Sequence, residues 1–341
     1  MRQRVFYLDF IRAMSVVFIV IFHFNCSIGS HGIYSEVYDI PIVFYAYKNG
    51  NLGQIGVSLF FIISGAGLML SNQQEFNIRE YAKKRLRAIY PMFYLAYFCV
   101  TCYFFLRYAS LNPFGVKRSK ISFILTILGM DGYLSPIVPN FYILGEWFLG
   151  CIILLYILFP LLRKIMLTIQ PWVATVGVFI IYILVVNFYY FETYPIQYFV
   201  LARICEFFFG MLAVIYISKI KKWHLCVAIT IVIIWFIWYI DLAEIHKTVI
   251  MGIALYIIFA YIGQHFPEIW QKPFQILSKY SYPAYLLHHV IIEQICSRFE
   301  NAHFSLFETY FLLLICFISI IFFTWLFIKL YKLIGKHDYK A

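Results

Sequence analysis

Ten apolar stretches follow one another along this chain with only short polar connections between them. They run near 6–28, 53–72, 88–107, 141–162, 172–190, 198–217, 223–240, 247–264, 279–297 and 307–331. A helix needs about 20 mainly apolar residues to cross ~30 Å of hydrocarbon. In lipid, every backbone N–H and C=O must find its partner inside the protein, so spanning segments of this length are helices. The pattern therefore predicts an all-α polytopic membrane protein with about ten transmembrane helices. Composition agrees: 63% of the 341 residues are hydrophobic and 13% are charged, where soluble domains carry about 25% charge. No soluble core fits, and no long polar stretch offers a second, water-soluble module. A single domain over 1–341 is expected.

A net charge of +11 on a soluble chain would point to nucleic acid. Here its distribution follows topology instead, so no nucleic-acid partner is expected and the partners in this sense are membrane lipids. With the N-terminus inside, the inner connections hold Arg79, Lys83, Lys84, Arg85, Arg87, Arg163, Lys164, Lys219, Lys221 and Lys222. The outer ones hold the thinner set Lys48, Arg107, Lys117, Arg118, Lys120, Lys247 and Arg298. This positive-inside bias places both termini in the cytoplasm. Residues 121–130 are apolar but too short to cross, so they are expected to be re-entrant or interfacial on the outer face. The first stretch has the apolar core of a signal peptide, but Asp9 and Arg12 interrupt its start and no A-x-A site follows, so it is read as a retained span.

Ionisable groups within such spans are costly and mark candidate sites. Arg12 and His23 lie eleven positions apart in the first span. Eleven steps bring a helix round to within about 20° of its starting direction and about 16 Å further along. Asp9, Arg12, Ile19 and His23 therefore share one stripe. A boundary anchor for Arg12 and a packing role for His23 are the structural alternatives; Asp9 on the same face favours a site. The glycines and serines of 53–67 suit close helix approach, and Ser64 lacks the strand–turn–helix elbow of a nucleophile. Lys83-Lys84-Arg85-Leu86-Arg87 sits at the inner edge, where it serves topology or clamps an anion such as a phosphate, which Arg forks match bidentately. Arg203 and Glu206, three apart, read as a mutually neutralising pair. His288 and His289 point about 100° apart, so at most one is expected to share a cavity with His23. Cys99-x-x-Cys102 has no histidine or second cysteine pair beside it, and no metal is expected.

In order along the chain stand Tyr7-Leu8-Asp9-Phe10-Ile11-Arg12 with His23, then Gly56-Val57-Ser58-Leu59-Phe60-Phe61 through Ser64-Gly65. They are followed by Arg85 with Ile89-Tyr90-Pro91, Trp147-Phe148-Leu149 with Tyr156 and Pro160, and Arg203 with Glu206-Phe207-Phe208-Phe209-Gly210. Tyr280-Ser281-Tyr282-Pro283 through His288 closes the series. Together these segments resemble the acyltransferase-3 family of integral membrane acyltransferases, which includes bacterial surface-polysaccharide O-acetyltransferases. The resemblance implies a ten-span fold in a bacterial plasma membrane that takes acetyl from cytoplasmic acetyl-CoA and delivers it to a hydroxyl of a carbohydrate acceptor at the outer face. It implies a catalytic role for His23, with Arg12 the arginine of the same motif. Two departures stand out. The family's R-x-x-R reads Arg85-Leu86-Arg87-Ala88, and the acidic residue eight positions before the family's proline is replaced by Ile152. Glu146 is the nearest substitute carboxylate. Some members carry a fused extracellular esterase-like domain; this chain shows none, so acetyl is expected to pass directly to the acceptor or to a separate extracytoplasmic transferase.

On this reading Lys84, Arg85 and Arg87 hold the coenzyme nucleotide at the inner edge, and its pantetheine arm reaches toward His23. His23 acts as general base or transient acyl carrier, and Asp9 is the (i, i+3) partner of Arg12. Capsule or exopolysaccharide is the favoured acceptor. The competing class is a transporter or flippase for a lipid-linked sugar or polar solute, but neither an internal repeat nor paired broken spans are visible. A non-catalytic scaffold would leave Arg12 and His23 without a role.

Overall fold

Backbone satisfaction in lipid leads to a helical bundle, and the computed structural model shows one. It describes residues 5–35, 46–110, 117–144, 147–216 and 220–334. Six of its helices are long and apolar enough to cross a membrane: α1 (Phe6–Ser30), α2 (Leu52–Ser71), α3 (Ile78–Tyr108), α6 (Trp147–Thr168), α10 (Glu244–Gln264) and α13 (Leu306–Ile334). Three shorter apolar helices, α7 (Pro171–Asn187), α8 (Ile204–Tyr216) and α9 (Lys222–Ile237), occupy three more of the expected spans. The stretch expected at 198–217 contains two single 3₁₀ turns followed by the 13-residue α8, which at 1.5 Å per residue is about 20 Å long. The remaining stretch is α12 (Ser281–Cys296), preceded by the short α11 (Gln271–Lys279).

Residues 121–130 form a 3₁₀ turn and the six-residue α4 (Phe123–Leu128), which ends at Gly129 with φ +68°. A one-residue step follows to α5 (Asp131–Leu134). The Tyr90 and Tyr94 hydroxyls of α3 donate to the Leu128 and Ile127 carbonyls. The tip of this turn thus packs against the middle of α3 (Ile78–Tyr108) rather than either of its ends. Its apolar side chains Ile121, Ile124 and Ile127 face outward, whereas Ser122 and Thr126 are buried.

The centre of the bundle is α2. Of its apolar window 72% is buried, against 33% for α3, and it packs most closely on α8 and α1. Small residues make this possible. A Cβ on Gly65 would collide with the Phe207 carbonyl of α8, and one on Gly210 of α8 would collide with the Ile62 carbonyl of α2. Gly252 of α10 likewise makes room for the Ser58 hydroxyl, and Gly56 for Ile19 and the Ser15 carbonyl of α1. Without a hydrophobic gradient between helix and lipid, such backbone-to-backbone approaches supply the packing and dispersion energy of association. Two two-residue ladders complete the described structure, β1 (Tyr34–Ser35) parallel to β4 (His303–Phe304) and β2 (Ala46–Tyr47) antiparallel to β3 (Gly50–Asn51).

Candidate active site

The first helix runs unbroken from Phe6 to Ser30, so the eleven-residue spacing of Arg12 and His23 is realised as one stripe. That stripe faces α11 and α12. At its lower end Asp9, 4% exposed, accepts a hydrogen bond of 2.6 Å from the Ser278 hydroxyl of α11. Arg12 is half-buried one turn above. At the upper end His23 meets both α12 histidines: its ring centroid lies 5.0 Å from that of His288 and 5.1 Å from that of His289, each edge-on. The expectation that only one of the pair could reach His23 is therefore corrected. The 100° between successive residues separates the side chains only when viewed from their own axis. His23 projects from the neighbouring helix into the gap between them and touches both.

The three rings are not equivalent. His288 is 1% exposed, and its Nδ1 donates to the Tyr285 carbonyl at 2.6 Å. In a neutral ring this bond fixes the tautomer and makes Nε2 the acceptor. His23 is half-buried and His289 is exposed, so the cluster opens at one edge of the bundle. One turn further out on each helix a second polar layer continues the stripe. Glu293 of α12 accepts from the Ser27 hydroxyl at 2.9 Å and pairs with His31 Nε2 at 2.8 Å. Toward the other end, an apolar slot of about 10 Å³ lies against His288, walled by Val16, Ile19, Val20, Phe60, Ala284 and Tyr285. That is room for roughly one water. Ile19, expected on the stripe from spacing alone, is a wall of this slot.

The inner-edge cations do not converge. Arg85 turns inward from α3, its guanidinium 5.8 Å from the Tyr156 ring of α6 and its buried Nε without a hydrogen-bond partner. Lys84 and Arg87 are exposed; on a helix, Arg85 and Arg87 point about 200° apart. The expected clamp of Lys84, Arg85 and Arg87 is thus one inward fork flanked by two outward cations. Another cation at this end is structural: Arg163 donates from Nε to the Asn72 carbonyl at 2.6 Å and from Nη2 to the Gln74 carbonyl at 3.1 Å, tying down the chain that leaves α2.

Glu146 lies outside the described residues. Trp147, which follows it, stacks on Tyr198 at 4.6 Å and also lies beneath the Arg203 guanidinium. Arg203 and Glu206 are both fully buried, with Nη1 3.2 Å and 3.4 Å from the two carboxylate oxygens and Nε donating to the Gln197 carbonyl at 2.9 Å. The (i, i+3) pair read from the sequence is therefore formed. The aromatic rings of Phe60, Phe61, Phe148 and Tyr285 stand between it and the histidines. Ile152, where many family members carry a carboxylate, is buried among apolar residues of α6, α7 and α8. Among the described residues, no group of three or more His, Cys, Asp or Glu side chains is arranged to hold a metal ion.

His31 is the site neighbour with no signal in the sequence. His289 and Glu293 stand out in the sequence as ionisable groups of a span, four apart and so on one face, but nothing local says that this face meets α1.

A cluster of three imidazoles between two helices of such a bundle is chemistry suited to moving protons or an acyl group. The family comparison agrees: the model of the acyltransferase domain of the acyltransferase-3 family matches residues 5–329. The chain belongs to that family and is a membrane acyltransferase. Searches of curated proteins and of solved structures find no match.

Proposed function

We propose that the protein transfers an acetyl group from cytoplasmic acetyl-CoA to a hydroxyl of a cell-surface carbohydrate, with His23 as the reacting base. The observation that carries this reading is the placement of His23 at the contact of three imidazoles, with a slot on one side and an open edge on the other. In the reaction, His23 takes the proton of the acceptor hydroxyl as its oxygen attacks the thioester carbonyl. The carbon–sulfur bond then breaks, and the same proton passes to the departing thiolate. General-base assistance of this kind contributes typically 10²–10⁴-fold. His288, held by the Tyr285 carbonyl, packs against His23 and limits its rotation. The unsatisfied Nε of Arg85 offers a donor to the coenzyme phosphates at the inner edge, where Lys84 and Arg87 add charge attraction. The slot of about 10 Å³ is too narrow for a pantetheine arm as it stands, so this reading requires α1, α2 and α12 to part locally for the donor.

Purified protein given acetyl-CoA and an acidic capsular or exopolysaccharide is expected to release free coenzyme A and acetylate the polymer, as followed by chromatography and NMR. His23→Ala is expected to lower both by at least about 10²-fold while inserting normally. Normal acetylation by that variant removes His23 from the chemistry. Uptake of a sugar without any release of coenzyme A replaces acyl transfer with transport.

A further inference from the structure

On the far side of α1 from the histidines lies an open-mouthed pocket of about 470 Å³, within the ~300–1,000 Å³ range of small-molecule sites. It sits at the N-terminal end of α2, the opposite end of the bundle from Arg85. Phe22, which lines it, is adjacent to His23 in the chain and packs edge-on against its ring at 5.3 Å. Most polar groups of the lining are already committed. Asn49 donates to the Trp235 and Trp238 carbonyls and accepts from Ile240. Lys48 donates to the Ile237 carbonyl at 2.7 Å, and Glu244 accepts from Gln54 and Gln197.

Lys247 is different. It is 4% exposed and lines the pocket, yet its ammonium has no carboxylate within ion-pair distance among the described residues, although Glu244 is three residues away on the same helix. Its recorded contact is the Tyr239 ring, 4.4 Å from Nζ. An ammonium held at the wall of a pocket in this way is a ready partner for an anion. The N-terminus of α2 opens into the same pocket, with Asn51 as its cap, and adds the partial positive charge of a helix start.

We propose that this pocket binds an anionic group, a carboxylate or a phosphate, carried by the carbohydrate acceptor, with Lys247 and the first turn of α2 as its donors and Tyr239 as an apolar face for the sugar ring. The proposal rests on the acyl-transfer reading and extends it: the acceptor is an acidic glycan, and the ring of Phe22, which lines its pocket, packs against His23.

The test is binding to the purified, full-length protein, measured by thermal shift with trigalacturonate, glycerol phosphate and neutral maltotriose as probes. A ligand that binds only the folded state raises the transition midpoint. One or both charged probes are expected to raise it and maltotriose is not; which of the two acts separates a carboxylate from a phosphate. Lys247→Met, which keeps the stem, is expected to weaken charged-probe binding by about ten- to hundredfold, and Lys247→Arg to restore most of it. On the unaltered protein, inorganic phosphate is expected to compete with trigalacturonate, which tests the site even where Lys247→Met fails to fold. Equal shifts by charged and neutral probes, or Lys247→Met binding like the parent, overturn the proposal. Because this readout needs no transfer, an inactive protein that still binds the charged probe sinks the acyl-transfer reading and leaves the anion site standing.

Discussion

At the residue scale, the most consequential contact is the one between His23 and the two histidines of α12. His23 was legible as a candidate from an eleven-residue spacing, because a helix repeats its direction after that interval and an imidazole in a span is costly. Its partners were not, because side-chain divergence along α12 says nothing about a ring arriving from another helix. Arg85 shows the same limit. Three cations within four residues look alike in sequence, and only packing against Tyr156 singles one out. Arg85→Ala is therefore expected to raise the KM for acetyl-CoA by about tenfold, the loss of a charge-assisted bond of ~1.5 kcal/mol, with little change in the KM for acceptor. Steady-state kinetics with each substrate varied in turn checks this, and an unchanged donor KM would return Arg85 to a topological role. Glu206 makes a separate prediction. Glu206→Gln leaves the Arg203 guanidinium without its charge partner in a fully buried site, and removing one member of such a pair costs about 3–5 kcal/mol. The expected result is a large drop in thermal stability in detergent that the double variant Arg203→Met/Glu206→Leu partly recovers.

At the scale of the element, the contact between α2 and α8 is where small residues matter most. Glycine richness in 53–67 announced close helix approach, and the structure shows which partner is approached: Gly65 meets the α8 backbone and Gly210 returns the contact. Gly65→Ala and Gly210→Ala each force a methyl against a carbonyl oxygen that cannot swing aside. Each is expected to destabilise by about 1–3 kcal/mol, as overpacking does. Gly67→Ala, whose added methyl meets open space, is the control and is expected to be neutral or slightly stabilising through helix propensity. Melting curves of the three variants decide the matter, and equal behaviour would contradict the backbone contact. The segment 121–130 was legible as too short to span, but its docking was not: two tyrosine hydroxyls of α3 bond to its last carbonyls.

On the scale of the whole molecule, the bundle has two chemically unlike ends. One carries the basic run Lys83–Arg87 after α2, and the other carries the pocket at the start of α2 and the His31–Glu293 pair. By the positive-inside bias the basic end is expected in the cytoplasm. Single cysteines introduced on a cysteine-free background are expected to react with a membrane-impermeant thiol reagent in intact cells at positions 48 and 241, and not at positions 74 and 221. The reverse pattern would invert the molecule and place the proposed donor and acceptor entries on the wrong sides.

Hydropathy, charge bias and helical periodicity are local properties, carried by residues within a turn or two of each other, and they were enough to determine a helical membrane protein, its segment order and the stripe of Asp9, Arg12 and His23. Tertiary structure alone decided what that stripe faces. Which helix lies across from which depends on crossings set by a few small residues far apart in sequence, and those crossings gathered His288, His289 and Glu293 around one end of α1. They also turned a single arginine of the basic run inward, and buried Lys247 beside a pocket where, among the described residues, no carboxylate pairs with it.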